Sequence, residues 1–432
     1  MSAASPPEAE VRVCVVGLGK IGLPLAVQYA SRGFEVVGYD IDATRVDDVK
    51  AGRNPLPWEA ELDELLPVAV RDGCLRATAD PAEAASNADV AVFIVPIGLT
   101  ANKRPDFSHF DAAAAKICPQ LPPDTLVILE TTAPVGTTRG RLGVALESAG
   151  RKLGVDCFLA FSPERVSSGH ILRDLRTYPK LVGAVDDASW QRAEAFYRAA
   201  LEAPDVVRLS SPETAEFAKI AEGVYRDANI ALASELARYA DAVGVDATEA
   251  FVAANTQPYS HLHAPGVGVG GHCLPVYPHF LVDNDTPLIQ HARQVNDAMA
   301  AYAAERLLKV LGVLDGKTVL VLGLAYRPNV KEAAHSSAVL LLRALRDRGA
   351  RALVHDPFFS NEEIRALGLD PPSAFPPDRV DAIIVQAWHD AYRDVDLRSF
   401  AANGCRVLLD GRNVLDRADV EAAGLAYLGI GR

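Results

Sequence analysis

The chain has 432 residues, 49% of them hydrophobic, and carries 43 Lys and Arg against 56 Asp and Glu, a formal net charge of −13. That length exceeds what one hydrophobic core organises and calls for two or three domains. The acidic balance excludes the basic footprint of a nucleic-acid binder, so an anionic ligand must be held by helix N-termini and a few Arg or Lys. The six cysteines (Cys14, Cys74, Cys118, Cys157, Cys273, Cys405) lack metal-ligand spacing. In a chain this long they point to a reduced, cytoplasmic setting rather than a disulfide framework, and no metal site is expected. Residues 1–10 have neither the basic start nor the apolar core of a signal peptide and read as a disordered tail. No run of about 18 apolar residues is present, so no membrane span is expected.

In chain order, Val11 to Val16 reads as a short apolar strand, Ile21 to Ser31 as a helix, and Phe34 to Tyr39 as a second strand. Val90 to Val95 and Thr125 to Leu129 are further continuous apolar runs, the pattern of a parallel sheet covered on both faces. From Ser211 to about Val243 breakers are few and apolar residues recur at helical spacing, which predicts a long helix. A Gly- and Pro-dense segment, His261 to Pro278, follows; a helix from Pro287 to Leu311 is predicted to stop at Gly312. A second alternating block has strands at Thr318 to Leu322, Ala352 to His355, Ala382 to Val385 and Arg406 to Leu409, with a helix at Ala338 to Arg348. The expected class is α/β: two doubly wound, Rossmann-like lobes joined by a helical middle with a long central helix.

Gly17-Leu18-Gly19-Lys20-Ile21-Gly22 follows an apolar strand and opens a helix, and the second strand ends in Asp40. This context gives the motif its meaning. Gly17 permits the tight turn, Gly19 the approach of a pyrophosphate to the backbone, and Gly22 the packing of helix on strand. The Asp40 carboxylate accepts from ribose hydroxyls and repels a 2′-phosphate, favouring NAD over NADP. Arg45 is placed to approach the phosphates or to remain a solvated helix residue. Gly266-Val267-Gly268-Val269-Gly270-Gly271-His272-Cys273-Leu274-Pro275 presents one cysteine on a loop whose glycines admit a close ligand. Cys273 is the candidate nucleophile, since a thiolate needs access; the other five cysteines read as small buried hydrophobes. His272, pointing the other way on an extended loop, is expected to be structural.

Together these motifs resemble the UDP-glucose/GDP-mannose dehydrogenase family, over nearly the whole chain. Leu129-Glu130-Thr131-Thr132-Ala133-Pro134-Val135-Gly136-Thr137-Thr138 is similar to the family's strand-end turn, and Ser162-Pro163-Glu164-Arg165 to its SPER motif. Glu216-Phe217-Ala218-Lys219, with Tyr225-Arg226-Asp227-Ala228-Asn229-Ile230-Ala231, is similar to its central helix. Gly323-Leu324-Ala325-Tyr326-Arg327-Pro328-Asn329 and Asp410-Gly411-Arg412-Asn413 are similar to its C-terminal lobe. The cysteine loop is closer to the branch acting on UDP-N-acetylhexosamines.

The resemblance implies an NAD-binding domain over 11–205, a central helical dimerisation domain with the cysteine loop over 206–312, and a nucleotide-sugar (UDP) domain over 313–432. It implies a homodimer and oxidation of a sugar C6 alcohol to a carboxylate through a thiohemiacetal and thioester on Cys273. Lys219 would stabilise the oxyanion, Glu164 activate the hydrolytic water, and Thr132 order that water and meet the cofactor. Glu164, Lys219, Asn229, Gly270 and Arg327 would contact the substrate, and Gly17, Gly19, Lys20, Ile21, Gly22, Asp40 and Arg45 the cofactor.

Four places in the chain depart from the family pattern. Tyr277 stands where the family has Asp, Gly223 where it has Asn, Ile97-Gly98 where it has Thr-Pro, and Ala334 where it has Arg. Three outcomes stay open: a complete oxidation with a rearranged base; a two-electron oxidation or an epimerisation, with Tyr277 paired to Lys219; or a non-catalytic nucleotide-sugar binder.

Overall fold

The computed structural model describes residues 11–202, 205–281 and 285–432; the expected tail, residues 1–10, lies outside them. They divide between Ala221 and Glu222 into two compact units.

The first unit is built on β1 (Arg12–Val16), β2 (Glu35–Tyr39), β3 (Leu75–Thr78), β4 (Val90–Phe93), the two-residue pair β5 (Gly98–Leu99) and β6 (Pro105–Asp106), β7 (Thr125–Leu129), β8 (Cys157–Phe161), β9 (Lys180–Ala184) and β10 (Val206–Leu209). The sheet order is β10-β9-β8-β7-β4-β1-β2-β3. From β3 to β8 this is the doubly wound dinucleotide-binding order, reversing between β1 and β4, where such sheets take their ligands. The runs VAVF, TLVIL and CFLAF are buried along their whole length, because covered faces remove any reason to alternate. Tyr29 and Phe34 set edges against Phe196 in the core, centroids 5.2 and 5.7 Å apart.

The wholly parallel sheet expected from these runs needs one correction: β8 and β9 pair antiparallel, Ala160 opposite Ala184 and Phe161 opposite Gly183. Burial decides which residues are apolar in a strand and says nothing of its direction, so Lys180–Ala184 carries no sign of the reversal. β3, β8, β9, β10 and β15, with the two-residue β5 and β6, have no counterpart among the strands expected from the sequence. Arg76 in β3 and Arg208 in β10 face solvent and interrupt the apolar pattern.

The long helix, Pro212–Val243, begins in the first unit and ends in the second. Ala247–Ala254 and Pro287–Leu311 follow, the latter ending at Gly312 in the left-handed conformation. The second sheet has β11 (Thr318–Leu322), β12 (Arg351–His355), β13 (Ala382–Val385), β14 (Val407–Asp410) and β15 (Ala426–Gly429), ordered β12-β11-β13-β14-β15 and parallel throughout. Helix Ser337–Arg346 is capped by Ser336, whose hydroxyl accepts from the Ala338 N–H at 3.2 Å. Small residues on the helical segment (Ala237, Ala240, Ala300, Ala303, Ala304) join Val319, Val321, Leu341 and Leu345 in one core. A smaller cluster of Ala231, Ala292 and Val295, with Ala228 against it, packs the two long helices on each other away from the sheet.

Both lobes close their first turn in the same way. The N–H of Gly17 meets the Tyr39 carbonyl and the N–H of Gly323 meets the His355 carbonyl, each at 2.8 Å. The N–H of Leu18 reaches Asp40, and that of Leu324 reaches Asp356, again at 2.8 Å. Asp356, however, is fully saturated. Its Oδ2 also accepts from Ala325 at 2.9 Å and faces His389 Nε2 at 3.0 Å, and its Oδ1 accepts from Phe358 at 2.9 Å. His389 Nδ1 accepts from the Asn329 N–H, so the proton shared with Asp356 sits on Nε2. Burial works against the Asp356 charge, but His389 and the N–H donors outweigh it and hold the carboxyl below its usual range.

Asp356→Ala leaves these donors without an acceptor inside the lobe and is expected to destabilise it by roughly 3–5 kcal/mol, read by urea unfolding. The wild-type contribution is present above the ordinary carboxyl pKa of about 3.9 and is lost as pH falls through the depressed folded value. A variant within about 1 kcal/mol of wild type would show the network to be structurally idle.

Candidate active site

In the first unit the candidate residues collect at the carboxyl ends of parallel strands. Gly17 ends β1 with φ +102°, a conformation strained for any residue with a Cβ. A Cβ on Gly22 would stand 1.8 Å from the Gly17 carbonyl oxygen, so only glycine lets the helix Gly22–Ser31 start there. A Cβ on Gly19 would meet nothing within 4 Å; that face of the turn is open. Lys20 and Ile21 complete the turn, Lys20 with its ammonium 6.0 Å from the Trp58 ring centroid. Asp40 Oδ1 accepts from Asp42 N at 3.0 Å while its Oδ2 holds Leu18, and the residue is partly open to solvent. Arg45, on helix Ala43–Lys50, has its Nη1 sealed from water with no hydrogen-bond partner in the protein. An open glycine turn at a helix N-terminus, a half-exposed acceptor and an orphaned guanidinium nitrogen fit the pyrophosphate and ribose of NAD.

Thr132 follows β7 and is buried. Its turn is fastened to the long helix by Glu216, which accepts from the N–H of Thr138 at 2.7 Å, the Thr138 hydroxyl at 2.6 Å and the N–H of Gly136 at 2.5 Å. Lys219, half-buried, lies three residues further along the same helix. Glu164 follows β8; its Oε1 accepts from Arg165 N at 2.6 Å and Val166 N at 3.1 Å, and its Oε2 from Lys180 Nζ at 3.2 Å. Ile97 is buried beside the pair β5–β6, which opens with Gly98.

In the second unit Cys273 is exposed. Burial pushes the thiols of Cys14 and Cys118 up to about 12 and those of Cys157 and Cys405 up to about 11, so these four are inert. The cysteine loop lies on the C-terminal lobe. A Cβ on Gly270 would stand 2.6 Å from Tyr326 Cβ and 2.9 Å from Ser336 Cα. The N–H of Gly271 donates to the Ala334 carbonyl at 3.1 Å. Arg412 donates to the carbonyls of Gln386 at 2.7 Å and Gly268 at 3.3 Å. The Cys273 carbonyl accepts from Val276 and Tyr277, closing a turn behind the thiol. His272 pairs with Glu332, which also accepts from the Tyr326 hydroxyl at 2.8 Å. Arg327 is half-buried beside Tyr326, and Asn229 donates an amide N–H to the Tyr225 carbonyl of its own helix at 2.8 Å.

Two departures from the family pattern share one place. A Cβ on Gly223 would lie 3.0 Å from Cδ2 of Tyr277. The phenol ring takes up part of the room that a side chain at 223 would need, so the two positions press on each other.

The sequence reading does not single out Lys180, Glu130 or the His272–Glu332 pair. A carboxylate closing TLVIL and a lysine opening KLVGA are the only traces it offers of the first two. Among the described residues no group of three or more His, Cys, Asp and Glu is arranged to hold a metal ion.

The fold and its nucleotide turn define a dinucleotide-binding α/β protein with a second Rossmann-like lobe. Three family models match in succession: the UDP-glucose/GDP-mannose dehydrogenase family's NAD binding domain over 11–201, its central domain over 213–298 and its UDP binding domain over 320–417. The chain belongs to this family and is an NAD-dependent nucleotide-sugar dehydrogenase. It is 33% identical to a UDP-N-acetyl-D-mannosamine dehydrogenase of Pyrococcus horikoshii, over 98% of this chain and 99% of that one. It is also 33% identical to an NDP-N-acetyl-D-galactosaminuronic acid dehydrogenase of Ralstonia solanacearum, over 93% and 96%. The solved UDP-D-ManNAc dehydrogenase of P. horikoshii superposes with a TM-score of 0.88 at 31% identity, covering 98% and 99% of the two chains. A UDP-glucose dehydrogenase of Pyrobaculum islandicum gives 0.88 at 29%, covering both chains entirely. The resemblance to the N-acetylhexosamine branch is borne out.

Gly223→Asn alone drives its side chain into the Tyr277 ring and is expected to cost about 1–3 kcal/mol. Adding Tyr277→Asp removes the ring and should recover most of that loss. Urea unfolding of both single variants and the double variant reads the coupling; additive losses would separate the two positions.

Proposed function

We propose that the chain oxidises the C6 alcohol of a UDP-N-acetylhexosamine to the uronic acid through a covalent adduct on Cys273. The observation that carries this reading is the exposure of Cys273 on a loop fastened to the C-terminal lobe, while four other thiols are buried. The relatives named for N-acetylmannosamine and N-acetylgalactosaminuronic acid support the choice of sugar. NAD, when bound, accepts a hydride in each of two oxidations. Between them the Cys273 sulfur adds to the C6 aldehyde carbon, forming a C–S bond. The Lys219 ammonium stabilises the oxyanion that results. After the second oxidation C6 is a thioester. Glu164 takes a proton from a water ordered by Thr132, the water oxygen attacks C6, the C–S bond breaks and the thiolate leaves. Asp40 and Arg45 hold the cofactor, and Asn229, Gly270 and Arg327 line the sugar nucleotide. In this organisation 11–205 holds the cofactor, 206–312 carries the helices and the thiol, and 313–432 takes the nucleotide.

The exchange at Gly223 and Tyr277 supports a second reading, because it removes an amide donor and a carboxylate at once. Turnover then stops at the C6 aldehyde after one oxidation, or a secondary ring hydroxyl is oxidised instead and its carbonyl re-reduced from the opposite face to give an epimer.

NADH counted per sugar separates the readings on a panel of UDP-N-acetyl-D-mannosamine, UDP-N-acetyl-D-galactosamine, UDP-glucose and GDP-mannose. Two NADH and a carboxylate product are expected; one NADH, or none with an epimer, establishes the second reading. Cys273→Ala is expected to lower the four-electron turnover at least ~10³-fold; unchanged turnover ends the covalent route.

Tyr225, Leu232, Leu236, Tyr239 and Val243 leave an exposed apolar face along the long helix. This supports a homodimer packed on it. Light scattering on the eluting protein is expected to give twice the 46.1 kDa chain mass, and Leu232→Arg with Leu236→Arg is expected to halve it. A wild-type monomer at micromolar concentration would refute the dimer. The unpaired cysteines support a cytoplasmic setting, and among the described residues no helix is long and apolar enough to cross a membrane.

A further inference from the structure

Glu130, at the end of β7, is fully buried. Its Oε1 accepts from the hydroxyls of Tyr29 at 3.2 Å and Tyr197 at 2.5 Å, and its Oε2 from Lys180 Nζ at 3.1 Å. Lys180 opens β9, is 5% exposed, and lies with its ammonium 5.0 Å from the Tyr197 ring centroid. The same ammonium donates to Glu164 at 3.2 Å. A polar chain thus runs from the sealed interior of the first unit to the half-buried carboxylate that follows β8.

Burial works against the Lys180 charge, but Glu130 and then Glu164 outweigh it and raise the lysine above its ordinary pKa. Burial, and then the Glu130 charge, push the phenols of Tyr29 and Tyr197 well up, so they remain protonated donors. A buried ion pair that only ties β7 to β9 accounts for Glu130 and Lys180. It does not account for the second arm of the ammonium, which ends on Glu164. An ammonium facing Glu164 alone would hold that carboxylate in place and also quench it as a base. Burial pushes the Glu130 carboxyl up while the Lys180 ammonium works to lower it, and that ammonium is shared between Glu130 and Glu164 rather than given to Glu164 alone.

We propose that Lys180 is a positioning residue for Glu164, and that Glu130 is the buried counter-charge that keeps Glu164 usable as a proton acceptor. The proposal rests on the reading of Glu164 as the hydrolytic base. Among the described residues Lys180 faces Glu130, Glu164 and the Tyr197 ring, and the Tyr29 phenol reaches the group through Glu130. Arg165, whose guanidinium reaches the Pro179 carbonyl at 3.5 Å, is a further charge on the same rim.

The two neighbours of Glu164 in this chain make opposite predictions. Lys180→Met removes a cation and a donor from Glu164, so the carboxylate protonates more readily. The acid limb of the kcat profile moves up by about one pH unit, with KM nearly unchanged. Glu130→Gln leaves the lysine facing Glu164 alone, so the limb moves down by a similar amount. Lys180→Arg, which keeps both contacts, restores the wild-type limb. The same shifts are expected in the Glu164 carboxyl resonance of glutamate-13C-labelled full-length protein, assigned by its loss in Glu164→Gln. If Lys180→Met and Glu130→Gln, both folded by thermal unfolding, move limb and resonance in the same direction or not at all, the proposal is overturned. Should Lys180→Met not fold, Glu130→Gln decides, and the absence of a downward shift overturns the proposal. If Glu164→Gln turns over as wild type, the base assignment fails separately, while the resonance still reports whether Lys180 and Glu130 set its charge.

Discussion

Each lobe is organised by a carboxylate at the carboxyl end of its second strand, taking the backbone N–H groups of the glycine turn that follows its first. Parallel strands deliver their turns to one edge, and those turns have N–H groups that the sheet cannot satisfy. Asp40 and Asp356 answer the same need at the same distance. They differ in what is left over. Asp40 stays partly open beside Gly19, where no neighbour would touch a Cβ. Asp356 is buried and saturated, with His389 against it. One scaffold thus leaves an open carboxylate in the first lobe and turns the equivalent residue into a structural anchor in the second.

The features legible in the sequence are those whose cause is local. Gly17, Gly19 and Gly22 follow an apolar strand and precede a helix, and the long helices have few breakers and clear stops such as Gly312. The two-lobed α/β architecture follows from runs such as TLVIL and AIIV, which are buried on both faces. What is not legible depends on contacts between distant segments. The reversal of β9 against β8 leaves no trace in the apolar pattern. Lys180 meets Glu130 fifty positions away, and the local sequence around neither residue announces the other. His272, expected to be structural, has its ring against Glu332, sixty positions along the chain.

The departures at positions 223 and 277 illustrate how a site changes when packing is kept. Read one at a time, loss of an amide donor and loss of a carboxylate are two deletions of chemistry. In the folded chain a Cβ at 223 would press on the Tyr277 ring, so the two positions are not independent. Ala334 contributes through its backbone, accepting from Gly271, and keeps that role whatever its side chain. Close packing thus couples positions that the sequence separates by more than fifty residues.

The cysteine loop has a bearing on how such proteins diversify. Its glycines exist because Tyr326, Ser336 and Ser337 press against them, and its carbonyl at Gly268 is held by Arg412. Cys273 therefore takes its coordinates from the lobe that follows it in the chain. A recombinant that trades this terminal lobe for a cousin's must bring the glycine loop along as part of the same cassette. A crossover between residues 275 and 320 splits that cassette, and the hybrid's sulfur is left without its support.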